Sequence, residues 1–371
     1  VSLGAGTLAA FAAGLVVGAF VDRMIVRLPL GRSLWWPPRE HCERCFAPLP
    51  FRWSVPLLGW ILCRGRCPRC RSRLRRRAAV VHAISAGLFA TLYFLYFRGG
   101  EFPFRPFDVY SYPQRWDDAK ILALFVYHAV LLSLLVAATF IDFDWMIIPD
   151  SVTVPGMLVG VLLGAFWFVE LHPVPVMDNQ QAAQLAMIEE STLAAWFGPE
   201  GAPAWAERAA HAWNSHWKSR WNVWSGLVSG VVGLLAGGAV VWVVRAVCSW
   251  ILRVEAMGFG DVTLMAMVGA FLGWQMALIA FFLAPLSAVV VSLGVWLLTG
   301  NRMIPYGPHL SIASAACIFF LNPIWNAVGE VFQHAGVLLF VLLAMVIVLA
   351  LVTSLIQGVK IVASQVRRKT A

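Results

Sequence analysis

Charge is what this sequence has least of. Asp, Glu, Lys and Arg together make up 13% of its 371 residues, against 60% apolar side chains, and that balance excludes an ordinary soluble globule. Acid is scarcer than base, 19 residues against 28. The surplus is concentrated rather than spread along the chain. Between Arg23 and Arg77 the only acids are Glu40 and Glu43, while arginines recur and end in the run Arg71, Arg73, Arg75, Arg76, Arg77. A basic loop beside apolar runs marks a cytoplasmic membrane flank, so no nucleic-acid partner is expected. No internal repeat is visible. No basic stretch precedes the first apolar run, and Arg23 and Arg27 follow it, so that run is expected to be a retained span and not a cleaved leader.

In place of charge there are long apolar runs, at 3–20, 78–97, 121–141, 152–169, 223–244, 276–298 and 336–355, with weaker ones at 262–273 and 309–321. A membrane-crossing helix needs roughly 20 such residues. The expectation is an all-α polytopic membrane protein with eight or nine transmembrane helices and a small zinc-bound cytoplasmic loop domain. The positive-inside rule puts the arginine-rich loop in the cytoplasm and the amino terminus outside.

The expected units are a first helix over 1–22, a four-cysteine domain over 23–77, membrane helices over 78–169, an extracytoplasmic insertion over 170–222, further membrane helices over 223–322, and an additional helix with a basic tail over 323–371. Within the insertion, Pro173, Pro175, Pro199 and Pro203 flank a run at 187–196 that reads as a short helix. Trp205, Trp213, Trp217, Trp221 and Trp224 fit an interfacial helix leading into the next span, because indole rings favour the headgroup layer.

Two Cys-x-x-Cys pairs, Cys42 with Cys45 and Cys67 with Cys70, are separated by a proline-rich loop. Four thiolates at this spacing can close a tetrahedral site, normally on zinc. Disulfides suit a cytoplasmic loop poorly. A closed four-sulfur site is structural, since catalytic zinc keeps a position for water. Cys63, Cys248 and Cys317 stand alone and are expected to pack as small apolar residues.

Carboxylates near the spans need a separate reason, because an ionisable group in a bilayer is costly. The segment 140–150 carries Asp142, Asp144 and Asp150, and Gly258-Phe259-Gly260-Asp261 opens a later span. Both lie at cytoplasmic span ends in the topology above. Two carboxylates held together in a poorly solvated site share a proton, one acting as acid and the other as base, and such a pair can activate water without a metal. Gly258 and Gly260 would let backbone approach closely. The bland alternative is a set of solvated helix-end residues, with Asp150 and Asp261 near helix amino termini. A proton- or ion-coupled transporter would also use intramembrane carboxylates, but it predicts a repeated half-structure.

The order of the stretch from Gly18 to Pro29, the paired Cys-x-x-Cys motifs, Asp142 to Asp150, Gly258 to Asp261, and Ile304-Pro305-Tyr306-Gly307-Pro308 resembles the bacterial type IV prepilin peptidases. The resemblance implies an intramembrane aspartic endopeptidase of the inner membrane that removes a short basic leader from prepilins and pseudopilins at the cytoplasmic face. It implies Asp142 and Asp261 as the catalytic pair, with Asp144, Asp150, Gly258, Gly260, Pro305 and Gly307 in support. It also implies use of S-adenosylmethionine to methylate the trimmed product. The sequence departs from the family at Ala19, Asp22, Ser54 and His82, in the methylating half, and at Thr263, where a lysine is common. Cleavage is therefore expected ahead of methylation. An inactive pilin-binding assembly factor is the alternative from another class.

Overall fold

The computed structural model describes residues 2–35, 42, 44–45, 61, 64–67, 69–73, 76–98, 118–166, 204–255, 257–299, 305–333 and 335–370. The expected short helix at 187–196 and Cys63 lie outside them. Nine α-helices are found among the described residues: α1 Leu3–Arg27, α2 Arg76–Phe97, α3 Asp118–Trp145, α4 Asp150–Phe166, α5 Ala204–Leu252, α6 Phe259–Thr299, α7 Gly307–Phe319, α8 Leu321–Gln333 and α9 Ala335–Thr370.

The first two helices form an antiparallel pair. Ser2 caps α1 by accepting the Ala5 N–H, and the buried positions Gly6, Ala10, Gly14, Gly18 and Asp22 recur every fourth residue, which is one helix face. Gly14 and Gly18 press against the backbone of Ala86 and His82 on α2. The remaining faces of α1 are largely exposed, as expected of a span that meets lipid. Pro29 opens the 3-10 turn Leu28–Leu30 that ends it, and Gly31 closes the turn in the left-handed region at φ 63°.

The centre of the bundle is α6. Every residue from 261 to 281 is buried except Trp274. It packs on α3, α4, α5 and α7. Small residues permit the closest of these approaches: a Cβ on Gly233 of α5 would strike the Gly269 carbonyl, and the reverse holds equally. Without water to drive association, such backbone contact is how membrane helices gain packing energy. Tyr127 of α3 joins the same centre, its hydroxyl donating to the carbonyls of Gly160 on α4 (3.0 Å) and Ala270 on α6 (3.3 Å). Tyr96 of α2 meets Nδ1 of the buried His128 at 2.6 Å. Both pairs satisfy polar groups that hydrocarbon would leave unpaired.

Six helices among the described residues are long and apolar enough to cross a membrane, and seven if the bent pair formed by α7 and 323–329 of α8 counts as one span. The expected count of eight or nine is therefore not reproduced. The runs 262–273 and 276–298 belong to one element, α6, broken at Gly273 (φ 77°, ψ 170°), a backbone conformation restricted to glycine. The run 152–169 appears as α4, only 17 residues in its described part. The weak run 309–321 becomes α7, after which the chain bends by 99°. The helix α5 begins at Ala204, well before the apolar run at 223, so its first turns carry the stretch that holds Trp205 to Trp221.

Candidate active site

The last turn of α3 carries Asp142. Met146 ends that turn in the left-handed region (φ 53°), with its N–H donating to the Asp142 carbonyl at 2.9 Å, the pattern of an αL cap. The chain then crosses 146–149 and starts α4 at Asp150, whose exposed carboxylate sits in the first turn, where a helix favours negative charge. Ile148, 9% exposed, turns inward from this crossing. On the other side, Asp261 is the third residue of α6. Both Asp142 and Asp261 are buried, at 5% and 8% exposure.

Two contacts bring the segments together. The Gly307 N–H, at the amino end of α7, donates to Oδ2 of Asp142 at 3.1 Å. Ile148 is wedged between Gly260 and Gly307: a Cβ on Gly260 would lie 2.8 Å from Ile148 Cβ, and one on Gly307 would lie 2.8 Å from Ile148 Cδ1 and 2.5 Å from Asp142 Oδ2. Both glycines are therefore required by close approach. Gly258 is not crowded in this way, since a Cβ there would meet Asp261 Oδ2 at an ordinary 3.9 Å. The Asp142 carboxylate lies within electrostatic reach of Asp261.

Tyr306, between the half-buried Pro305 and Gly307, also faces Asp261. Thr263 donates its hydroxyl to the Gly260 carbonyl at 3.1 Å, leaving this helix start without a cation from that position. Asp144 stands apart: it is exposed and forms an ion pair with Arg77 of α2. Arg77 and Ile148 are site neighbours that sequence reasoning missed. Arg77 was hidden in a run of arginines that topology alone explains, and nothing in sequence marks which apolar residue of a turn points inward.

The four expected cysteines also come together. Their sulfurs all lie within 4.8 Å of one another, with Cys42 and Cys70 at 3.6 Å and Cys45 and Cys67 at 3.9 Å. Four sulfurs around one zinc ion would stand ~3.8 Å apart, given Zn–S bonds of about 2.3 Å. The group could hold a metal ion of that size. Cys67 donates its N–H to the Ser72 carbonyl and accepts that of Arg71, which adopts φ 56°, and an isolated bridge pairs Arg66 with Arg73. The Ser72 hydroxyl reaches the sulfurs of both Cys42 and Cys70. It is the largest reason the Cys42 thiol is lowered to about 6, followed by the backbone N–H groups of Cys45 and Arg44 and opposed by burial. A thiolate prepared in this way suits metal binding. Cys248 and Cys317 are buried, as expected of lone apolar thiols.

Residues 12–96 match the family model described as the Bacterial Peptidase A24 N-terminal domain, and residues 215–293 match that of the Type IV leader peptidase family. The first match spans α1 and α2 with the cysteines, and the second contains Asp261. Asp142 lies between the two. Among known proteins, the chain is similar to the prepilin leader peptidase/N-methyltransferase of Aeromonas salmonicida, 25% identical over 333 residues covering 82% of this chain and 87% of the relative. The enzyme of the same name from Myxococcus xanthus is 30% identical over 292 residues, 78% of this chain and 63% of the relative. That of Burkholderia pseudomallei is 24% identical over 365 residues, 88% and 93%. No solved structure matches the chain. With these matches, the bundle of apolar spans is that of a multi-pass membrane peptidase. The chain belongs to the type IV prepilin peptidase family.

Proposed function

We propose that the protein is an intramembrane aspartic endopeptidase, with Asp142 and Asp261 as its catalytic pair, acting at the cytoplasmic face of a bacterial inner membrane. The observation that carries this reading is the meeting of two buried carboxylates from separate helices at one end of the bundle, joined through Gly307 and Ile148. Asp142 accepts an N–H at the start of α7, where the helix dipole favours negative charge. It is the partner suited to act as base, taking a proton from water as the water attacks a peptide carbonyl. Asp261 supplies its proton to the carbonyl oxygen; on collapse Asp142 passes the proton taken from water to the leaving nitrogen, and Asp261 recovers one from the gem-diol hydroxyl. Asp144, Asp150, Gly258, Gly260, Pro305 and Gly307 are proposed as supporting residues through the contacts described above.

The relatives are named for the leader of prepilins; in this reading the substrates are prepilins or pseudopilins, cut where a short basic leader meets the apolar helix. The arginine-rich stretch up to Arg77 supports a cytoplasmic first loop, and with it the units 1–22, 23–77, 78–169, 170–222, 223–322 and 323–371. We assign the metal as zinc, held by Cys42, Cys45, Cys67 and Cys70 in a structural role: it would fold a loop with little core of its own. S-adenosylmethionine would supply the methyl group in the second reaction that the relatives are named for. The buried Asp22 carboxylate in the amino-terminal pair, which could otherwise attract a sulfonium, is engaged by Arg77, and no residue is assigned to that cofactor.

The reading is tested by reconstituting the protein with a prepilin and following leader removal by mass spectrometry for wild type, Asp142→Asn and Asp261→Asn. Cleavage by wild type alone is the expected result. Undiminished cleavage by either variant would remove the catalytic pair. Failure of wild type on its proper substrate would leave a pilin-binding protein as the better description.

A further inference from the structure

We infer that Arg77 is a positioning residue for Asp142, a strut that ties the end of α3 to the amino-terminal helix pair; this inference rests on the catalytic reading of Asp142. Arg77 is the second residue of α2 and stands opposite the end of α1 in the antiparallel pair. Its Nε lies 3.6 Å from Oδ1 of Asp22, and its Nη1 reaches Oδ2 of Asp144. The three side chains come from three helices.

Their burial is graded. Asp22 is 8% exposed, Arg77 21% and Asp144 37%. A carboxylate as deeply buried as Asp22 needs a counter-charge, and Arg77 supplies it at 3.6 Å, an ion-pair separation beyond hydrogen-bond reach that draws Nε to the α1 side. A guanidinium is a rigid planar fork, so with Nε turned toward Asp22 the other side presents its donors away from α1. That direction leads to Asp144, two residues beyond Asp142 in the same final turn of α3. The turn has one further restraint on its backbone, the Met146 N–H bonded to the Asp142 carbonyl. Around the turn Phe143, Trp145, Met146 and Ile147 are exposed and do not anchor it to the bundle, so past Met146 it is Ile148 that ties the crossing inward. Arg77 thus fixes from outside the turn whose inner side offers Asp142 to Gly307.

The strut also links the two halves of the protein. Arg77 follows Cys70 by seven residues, so the strut lies close in sequence to the four-cysteine cluster.

The test is a double-mutant cycle on prepilin cleavage using Asp144→Asn and Arg77→Gln, the latter also in an Asp22→Asn background, because Arg77→Gln alone takes a cation from a buried carboxylate. A displaced catalytic group loses rate steeply, up to ~100-fold per ångström, and a tether through a partly exposed carboxylate should cost about tenfold. The expected result is a kcat about tenfold lower for each single variant, KM within about twofold, and a double variant no slower than the slower single, because both remove one interaction. Multiplying effects, a change confined to KM, or kcat within twofold of wild type for Asp144→Asn would overturn the inference. Where the Arg77 variants do not accumulate, the Asp144→Asn result alone decides it. Activity retained in Asp142→Asn would instead remove the catalytic reading, and that outcome is separate from the strut.

Discussion

Adding one methyl group at Gly307 should silence the site without unfolding the protein. A Cβ there would stand 2.5 Å from Asp142 Oδ2 and 3.3 Å from its Cγ, about 1 Å inside ordinary van der Waals separation for the oxygen. Gly307→Ala therefore expels the carboxylate from its place and breaks the 3.1 Å bond from the Gly307 N–H. A hydrogen bond to a charged group contributes about 1.5–3 kcal/mol, which converts to a roughly ten- to hundredfold loss in rate. Displacement by about 1 Å argues for the upper end. The assay is cleavage of a prepilin in reconstituted membranes, with kcat and KM taken separately, alongside thermal unfolding of the detergent-extracted protein. The expected result is a kcat near one-hundredth of wild type with the unfolding midpoint within a few degrees. Cleavage within threefold of wild type would refute the placement of Asp142 against α7.

Gly260→Ala should be far more damaging than Gly258→Ala, because the first methyl meets Ile148 Cβ at 2.8 Å and the Ile148 carbonyl at 3.0 Å, and the second meets nothing nearer than 3.9 Å; equal losses in the same assay would count against the Ile148 wedge. Tyr127→Phe removes two buried hydrogen bonds and leaves the ring, so it should lower the stability of the extracted protein by about 1–2 kcal/mol, measured by thermal or denaturant unfolding, with cleavage retained by the folded fraction. Cys67→Ser should abolish stoichiometric metal in elemental analysis of the purified protein. Acid should do the same to the native chain. Protons compete with the metal for all four thiolates, so loading should fall as pH is lowered, beginning below the free-thiol value of about 6 to which Cys42 is brought, and a metal content unchanged at pH 4 would contradict this.

The parts of the molecule written in local sequence were legible before the fold was seen. Apolar length marked the membrane class though not the number of spans, and the Cys-x-x-Cys spacing marked the four-cysteine cluster, because a knuckle brings its own ligands together. The carboxylates Asp142 and Asp261 were legible from the cost of placing charge in a bilayer. Helix breaks were not. The sequence offered 262–273 and 276–298 as two runs, and only the packed backbone reveals that they follow one another in a single element kinked at Gly273. Roles that depend on a distant partner were also hidden. Gly258 and Gly260 read identically in the motif, yet Ile148 leans on only one of them. The arginine run was explained by topology, so the single member that reaches Asp22 and Asp144 could not be singled out.

The burial of α6 has a consequence for how the site moves. From 261 to 272 no face of this helix is open to lipid or water, and α5 touches its backbone through Gly233 and Gly237. Rotating or sliding it would disturb four interfaces at once. Its partner turn, from Asp142 to Ile147, has an exposed outer surface and borders no such collar. The two aspartates are thus mechanically unequal: one is enclosed on every side, and on the catalytic reading proposed above an opening to a substrate peptide would be expected on the side of the other.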